Sequence, residues 1–196
     1  MVEMKKIIYI LFCAMALVGC QGGFTAQERE VIYGGEGEIM RVMSVGNLAD
    51  SVLLRSECQS MTQQMVGSEE LETLCRRMLA TVNDPENEGV GIAAPQVGLL
   101  RRMVAVQRYD KEGAPFEFFL NPEIVEMLGE KEPGGEGCLS IPDFRGEVMR
   151  AQSIVLKYRD TDFVEHTETV EGFTAVIFQH EVDHLDGVLY IDRMEK

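Results

Sequence analysis

The chain has 196 residues, with 18 Lys and Arg against 33 Asp and Glu, a formal net charge of -15 and 45% hydrophobic residues. This apolar content is enough for one folded domain of ordinary size and excludes a disordered polymer. Because the charge is strongly negative and Lys and Arg never form runs longer than a pair, we expect no nucleic-acid partner.

The N-terminus has the pattern of an export signal. Lys5 and Lys6 precede an uncharged apolar run over residues 7–18, which is too short to cross a bilayer as a permanent helix. The run ends in Leu17-Val18-Gly19-Cys20, which resembles the lipobox of bacterial lipoproteins. In that family the chain is cut before the cysteine, and the cysteine thiol is lipidated.

This resemblance implies that residues 1–19 are a signal peptide and that Cys20 carries a lipid. We therefore expect an exported, membrane-anchored bacterial lipoprotein that contacts the membrane only through the anchor at Cys20. A secretory signal without lipidation is one alternative, and translation from a downstream start such as Met40 would give a cytoplasmic protein. Residues 20–45 are rich in Gly, Glu and Gln, which predicts a flexible tether ahead of a folded domain over residues 46–196.

Two later segments have the spacing of amphipathic helices. Apolar residues recur at helical intervals from Leu71 to Val82, between a helix start at Ser68 and a stop at Asp84-Pro85. A second pattern runs from about Phe173 to Asp186, with Gly187 where a left-handed residue is expected. Short β-like runs cover residues 103–106, 116–120 and 154–158. We therefore predict an α+β fold with short antiparallel strands.

The second helix pattern contains His180-Glu181-Val182-Asp183-His184. Residues four apart share a helical face, so His180 and His184 can bind one metal ion, while Glu181 can reach a metal-bound water. We therefore expect a central metal-binding helix, with the first pattern as an N-terminal amphipathic helix. The alternative is a chance match on a solvated helix, although the chain has only three His and the third, His166, is expected in an exposed strand.

Two histidines need a third protein ligand for a catalytic site, and the residues after His184 do not supply it. Gly187 stands where a metzincin has its glycine, but Tyr190 stands where that family needs its third His. Upstream, Cys138 lies in the glycine-flanked stretch Gly134–Ser140, where a metal would stabilise the thiolate. The alternative for this cysteine is a buried structural thiol.

Three stretches together resemble the peptide deformylase family. They are Gly89–Gln96, with alternating small and apolar residues, then Glu136-Gly137-Cys138-Leu139-Ser140, and then the histidine motif, in the order of the family pattern. The resemblance extends from about Asp50 to the C-terminus and includes Asp50–Arg55, which is similar to an early Asp-x-x-Leu-Arg segment of the family. The lipoprotein-type signal departs from the family, whose members act on nascent chains in the cytosol.

The resemblance implies a metal-dependent hydrolase that removes the formyl group from N-formylmethionyl peptides and releases formate. The implied metal ligands are Cys138, His180 and His184. The implied general acid/base is Glu181, and Gln96 with the backbone N–H of Leu139 would hold the oxyanion. The resemblance implies Fe(II) as the divalent ion, whereas the ligand types also suit Zn(II), which an oxidising compartment would favour.

The resemblance also implies residues that bind the substrate. Phe173, Val176 and Ile177 lie on the helical face of His180 and match the family's methionine pocket, although such a stripe is also typical of a core helix. The other matching positions are Gly91, Ile92, Glu136 and Arg145. Of these, Gly91 and Ile92 would pair through their backbone with the peptide as an added strand.

Two other functions stay open at this point. One is a lipid-anchored protein that binds N-terminal peptides without turnover, but such a binder would not need Glu181 and Gln96. The other is a different HExxH metallopeptidase, which Tyr190 and the missing downstream ligand disfavour. The sequence makes no prediction about the oligomeric state.

Overall fold

The computed structural model describes residues 22–87 and 89–194, which form four α-helices and one five-stranded antiparallel sheet. The α-helices are α1 (Ala26–Tyr33), α2 (Leu48–Leu54), α3 (Glu69–Val82) and α4 (Gly172–Leu185). The strands are β1 (Gly91–Ala93), β2 (Met103–Gln107), β3 (Phe116–Cys138), β4 (Ile141–Arg159) and β5 (Glu165–Glu171). Three short 3₁₀ turns lie at Gln63–Met65, Ala94–Val97 and Tyr190–Asp192. The strands lie in the sheet in chain order, so β1 is an edge strand.

The α+β class with antiparallel strands is confirmed, but two of the strands are long rather than short. β3 has 23 residues and β4 has 19. The run predicted over residues 116–120 is too short, because the pairing of β3 with β4 shifts between Leu120 and Glu123, around Pro122, and then continues. Such a bulge keeps the proline, which has no N–H group, out of the ladder of hydrogen bonds.

The helix predicted around residues 71–82 is confirmed as α3. Its start is fixed by Ser68, whose hydroxyl accepts a hydrogen bond from the Leu71 N–H group. The apolar face is buried in the main core, with Leu71, Leu74, Met78 and Val82 all nearly inaccessible to solvent. This helix therefore forms one layer of the core beside the sheet.

The second predicted helix is α4, which packs against β1, β2 and β4. Its Phe178 ring meets the ring of Phe119 on β3 edge to face, with ring centres 4.7 Å apart. Gly187 follows the helix with a φ of 70°, and a Cβ atom there would lie 2.6 Å from the Arg55 carbonyl oxygen. Among the described residues, no helix combines the length and the apolar character that a bilayer crossing requires.

The structure corrects the expectation of a flexible tether over residues 20–45 for the part that it describes, from residue 22 onwards. Phe24 and Ile32 are buried, and α1 packs against α3. The expectation rested on a polar composition, but Phe24, Ile32 and Met40 of this segment are buried in the main core. The predicted signal at residues 1–19 and the lipidation site Cys20 lie outside the described residues.

We expect Ile32→Ala to lower the free energy of unfolding by about 2–5 kcal/mol, because it removes a fully buried side chain from the contact of α1 with the core. Glu30→Ala, which changes an exposed residue of the same helix, is the control and should change the stability little. Urea unfolding followed by circular dichroism measures both. A flexible tether would give two variants of equal stability.

Candidate functional site

The three predicted metal ligands come together from two elements. Cys138 is the last residue of β3, and His180 and His184 lie one turn apart on α4. The cysteine sulfur and a ring nitrogen of each histidine all lie within 4.8 Å of one another, and Cys138 Sγ is 3.2 Å from His184 Nε2. The third histidine, His166, lies in β5 as expected and pairs with Asp160 at 2.7 Å.

The charges of this cluster favour a cation. Burial raises the pKa of the Cys138 thiol, but the neighbouring His184 and His180 outweigh it and hold the pKa well below its usual range. Burial also lowers the pKa of His180, but hydrogen bonds to Cys138 and Glu136 outweigh it and raise this pKa to about 10. A thiolate with two imidazoles is a donor set that suits a divalent metal ion, which competes with protons for the same atoms.

Glu181 lies beside these ligands in a buried position. Only 3% of the residue is exposed, and burial raises the pKa of its carboxyl group to about 7. Its Oε2 atom has no hydrogen-bond partner among the described residues. A Cβ atom on Gly91 would lie 2.5 Å from its other oxygen, so β1 can pass this close only with glycine at that position. A carboxylate that titrates near neutral pH and lacks a partner is suited to general acid/base chemistry.

Gln96 points its amide group into the same site. It lies in the 3₁₀ turn after β1 and is buried, and its Oε1 atom accepts a hydrogen bond of 2.8 Å from the Ala93 N–H group. That bond directs its Nε2 atom towards Ser140 Oγ at 3.4 Å and Cys138 Sγ at 3.5 Å. The predicted second donor, the backbone N–H of Leu139, belongs to the residue directly after Cys138.

A buried network of ion pairs lies behind His180. Glu136 accepts a hydrogen bond from His180 Nδ1 at 2.8 Å and pairs with Arg150 at 2.7 Å. Arg150 also binds Asp183 at 2.7 Å, and Arg193 binds the same carboxylate at 2.7 Å. Burial raises the pKa of Glu136, but its bonds to His180 and Arg150 outweigh this and lower it to about 2. Glu136 therefore orients His180.

A cavity of about 800 Å³ opens beside the ligands. Among its lining residues are these six of the predicted substrate-binding residues: Gly91, Glu136, Arg145, Phe173, Val176 and Ile177. The side chain of Ile92 is instead fully buried in the core, which leaves only its backbone on the open edge of β1. The residues at 141–144 also line the cavity and were not predicted, because the turn that brings them there depends on a left-handed Asp143 with a φ of 62°.

Known proteins of one family are similar to this chain in sequence and in structure. The model of the family described as polypeptide deformylase matches residues 42–196. A peptide deformylase from Leptospira biflexa is 37% identical over 80% of this chain and 88% of that protein. Two structures of a class I type b peptide deformylase from Acinetobacter baumannii, with actinonin and with Met-Ala-Ser bound, are each 35% identical with a TM-score of 0.71. Both cover 80% of this chain, and 99% and 98% of the respective relative.

We expect the purified protein to hold one Zn²⁺ or Fe²⁺ ion per chain and Cys138→Ala to lose it, because two histidines alone are a poor site. Cys75→Ala is the matched control, since this half-buried thiol lies on α3 outside the cluster. Elemental analysis after exhaustive dialysis without oxygen measures the metal content. Full retention of the ion by Cys138→Ala would contradict the assignment.

Proposed function

The chain belongs to the peptide deformylase family, and from this premise we propose how its site removes the formyl group from N-formylmethionyl peptides. The reaction is a hydrolysis that yields formate and a free amino terminus. The observation that carries this mechanism is the convergence of Cys138, His180 and His184 beside Glu181, whose buried Oε2 atom has no hydrogen-bond partner among the described residues. Of these four residues, Cys138, His180 and Glu181 line a cavity with an open strand edge.

Cys138, His180 and His184 would hold the divalent ion, with Glu136 fixing the orientation of His180 through its Nδ1 atom. When bound, the ion would act as a Lewis acid and lower the pKa of a coordinated water to about 7. The family resemblance favours Fe(II), and the ligand types also accommodate Zn(II).

Glu181 moves the proton in this mechanism. Its free Oε2 atom accepts the proton of the water that attacks the formyl carbon. Because burial raises the pKa of this carboxyl group to about 7, Glu181 can hold the proton and then return it to the leaving amine. One residue thus acts first as base and then as acid.

Two donors would stabilise the oxyanion that forms at the formyl oxygen. One is the Nε2 group of Gln96, which is already oriented because the Ala93 N–H group holds the other end of the amide. The second is the backbone N–H of Leu139. Donors that are in place before the reaction need no reorganisation in the transition state, and loss of one costs about 3 kcal/mol.

The peptide would bind along β1. This strand has a free edge, so the backbone of Gly91 and Ile92 can add the peptide as a further strand. The methionine side chain would then lie against the apolar wall formed by Phe173, Val176 and Ile177. The Acinetobacter baumannii relative with bound Met-Ala-Ser supports a peptide that begins with methionine as the ligand. Arg145 is exposed at the cavity and is free to contact the peptide backbone.

We expect Glu181→Gln to reduce formate release from formyl-Met-Ala-Ser by about 100- to 10,000-fold, because the amide cannot accept the proton. The variant should keep its metal ion and its affinity for the peptide. Glu171→Gln makes the same change at an exposed position before α4 and should retain wild-type activity. Unaltered turnover in Glu181→Gln would rule out the mechanism, whereas peptide binding without turnover in the wild type would indicate a non-catalytic binder.

We propose also that the protein is exported and anchored by a lipid on Cys20, after removal of residues 1–19. The support is the basic start, the apolar run and the Leu17–Cys20 sequence, all outside the described residues. Since Phe24 is already part of the core, only a few residues would separate the lipid from the folded body. The alternative start at Met40 would leave out α1 and its buried contacts.

We expect cells that make the full chain to incorporate a radioactive fatty acid into the protein and to lose this label with Cys20→Ser, since the mutation removes the thiol that is lipidated. Cys75→Ala, which changes a half-buried thiol of the domain, is the control and should keep the label. Gel fluorography after membrane fractionation measures both. Equal labelling of wild type and Cys20→Ser would rule out this anchor.

A further inference from the structure

One wall of the cavity is mostly exposed and lies partly outside the sheet pairing. Residues 141–145, which we call the cavity lip, all line the cavity at the start of β4. The pairing of β4 with β3 runs from Arg145 opposite Gly137 directly to Ile141 opposite Cys138, so residues 142–144 lie outside this ladder. Phe144, one of these three residues, is 47% exposed. The shape of residues 142–144 therefore depends on contacts other than this pairing.

Tyr190, in the 3₁₀ turn after α4, makes that contact. Only 2% of the residue is exposed, and its hydroxyl donates a hydrogen bond of 2.9 Å to the Phe144 carbonyl oxygen. Its ring stacks on the Phe144 ring, with centres 6.4 Å apart and planes inclined by 29°. The side chain of Tyr190 thus contacts both the backbone and the ring of Phe144.

The same ring also contacts the metal-ligand helix. Tyr190 stacks on the His180 ring at 5.9 Å between centres, with planes inclined by 24°. The turn that carries Tyr190 is itself fastened to α4, because Arg193 binds Asp183 at 2.7 Å. The Leu189 N–H group also donates to Asp192 Oδ2 at 2.9 Å, which closes the turn. Tyr190 is therefore held at a fixed distance from the ligand side of the cavity.

We propose that Tyr190 is a positioning residue that links the cavity lip to His180. Its hydroxyl and its ring have different roles. The hydroxyl holds the lip in the shape that receives the peptide, and the ring supports the orientation of His180. Removing the hydroxyl alone loosens the lip and leaves the metal ligand in place. The effect on peptide binding rests on the proposed function, whereas the effect on the mobility of the lip does not.

The test is Tyr190→Phe, which keeps both ring contacts and deletes only the bond to Phe144. We expect KM for formyl-Met-Ala-Ser to rise about three- to tenfold, the loss that one neutral hydrogen bond predicts, with kcat and metal content unchanged. Trypsin should also cleave after Arg145, the exposed end of the lip, severalfold faster under native conditions. Cleavage after the exposed Arg41 in the same digest is the internal reference.

Tyr33→Phe is the matched control, because it deletes the hydroxyl of an exposed tyrosine on α1 and should change neither quantity. Wild-type cleavage after Arg145 in Tyr190→Phe would overturn the proposal, and so would an unchanged KM in an active enzyme. A fall in kcat or loss of the metal ion would also overturn it, since the hydroxyl would then act on the reacting centre. If the wild type released no formate, the proposed function would fail and the trypsin result would still decide the role of Tyr190.

Discussion

The site depends on pairing the charged groups that are buried behind the proposed metal ligands. A buried carboxylate or guanidinium costs several kcal/mol unless it is paired and hydrogen-bonded. Here Glu136 lies between His180 and Arg150, and Arg150 reaches on to Asp183, so opposite charges alternate away from the ligands. On the open side, a thiolate and two imidazoles face one another, an arrangement that a divalent cation completes.

The long paired strands β3 and β4 place Cys138 and Arg150 against α4. The pair turns back at Cys138, so one ligand reaches the helix from the end of a strand, while Arg150 reaches the same helix from within β4. The helix itself is buried on most sides, and hydrogen bonds to other elements satisfy part of its buried polar side chains. Gln179, for example, exchanges two hydrogen bonds with the backbone of Ala151. The rigid sheet and the helix therefore hold the site before any substrate arrives.

The N-terminal segment supports the opposite side of the site. After α1, the Met43 N–H group donates to the Gln96 carbonyl oxygen at 2.8 Å, and the Val45 N–H group donates to that of Ser140 at 3.0 Å. The first acceptor belongs to Gln96 and the second to the residue after Leu139, and Gln96 and Leu139 are the two residues proposed to hold the oxyanion. The segment was expected to be a tether because polar residues and glycine dominate its composition. Composition averages over a stretch of chain, whereas a few buried apolar residues and backbone hydrogen bonds decide whether it packs.

The sequence by itself determined the elements whose periodicity is strong, namely α3 and α4, and the family whose spaced motifs contain Cys138, His180 and Glu181. Local spacing suffices for these, because a helix places residues four apart on one face whatever surrounds it. Only the tertiary structure decided that β3 continues past its bulge, that Glu136 accepts a hydrogen bond from His180, and that Tyr190 donates one to the cavity lip. Those contacts join residues distant in the chain, and no local pattern encodes which distant residue will satisfy a buried polar group.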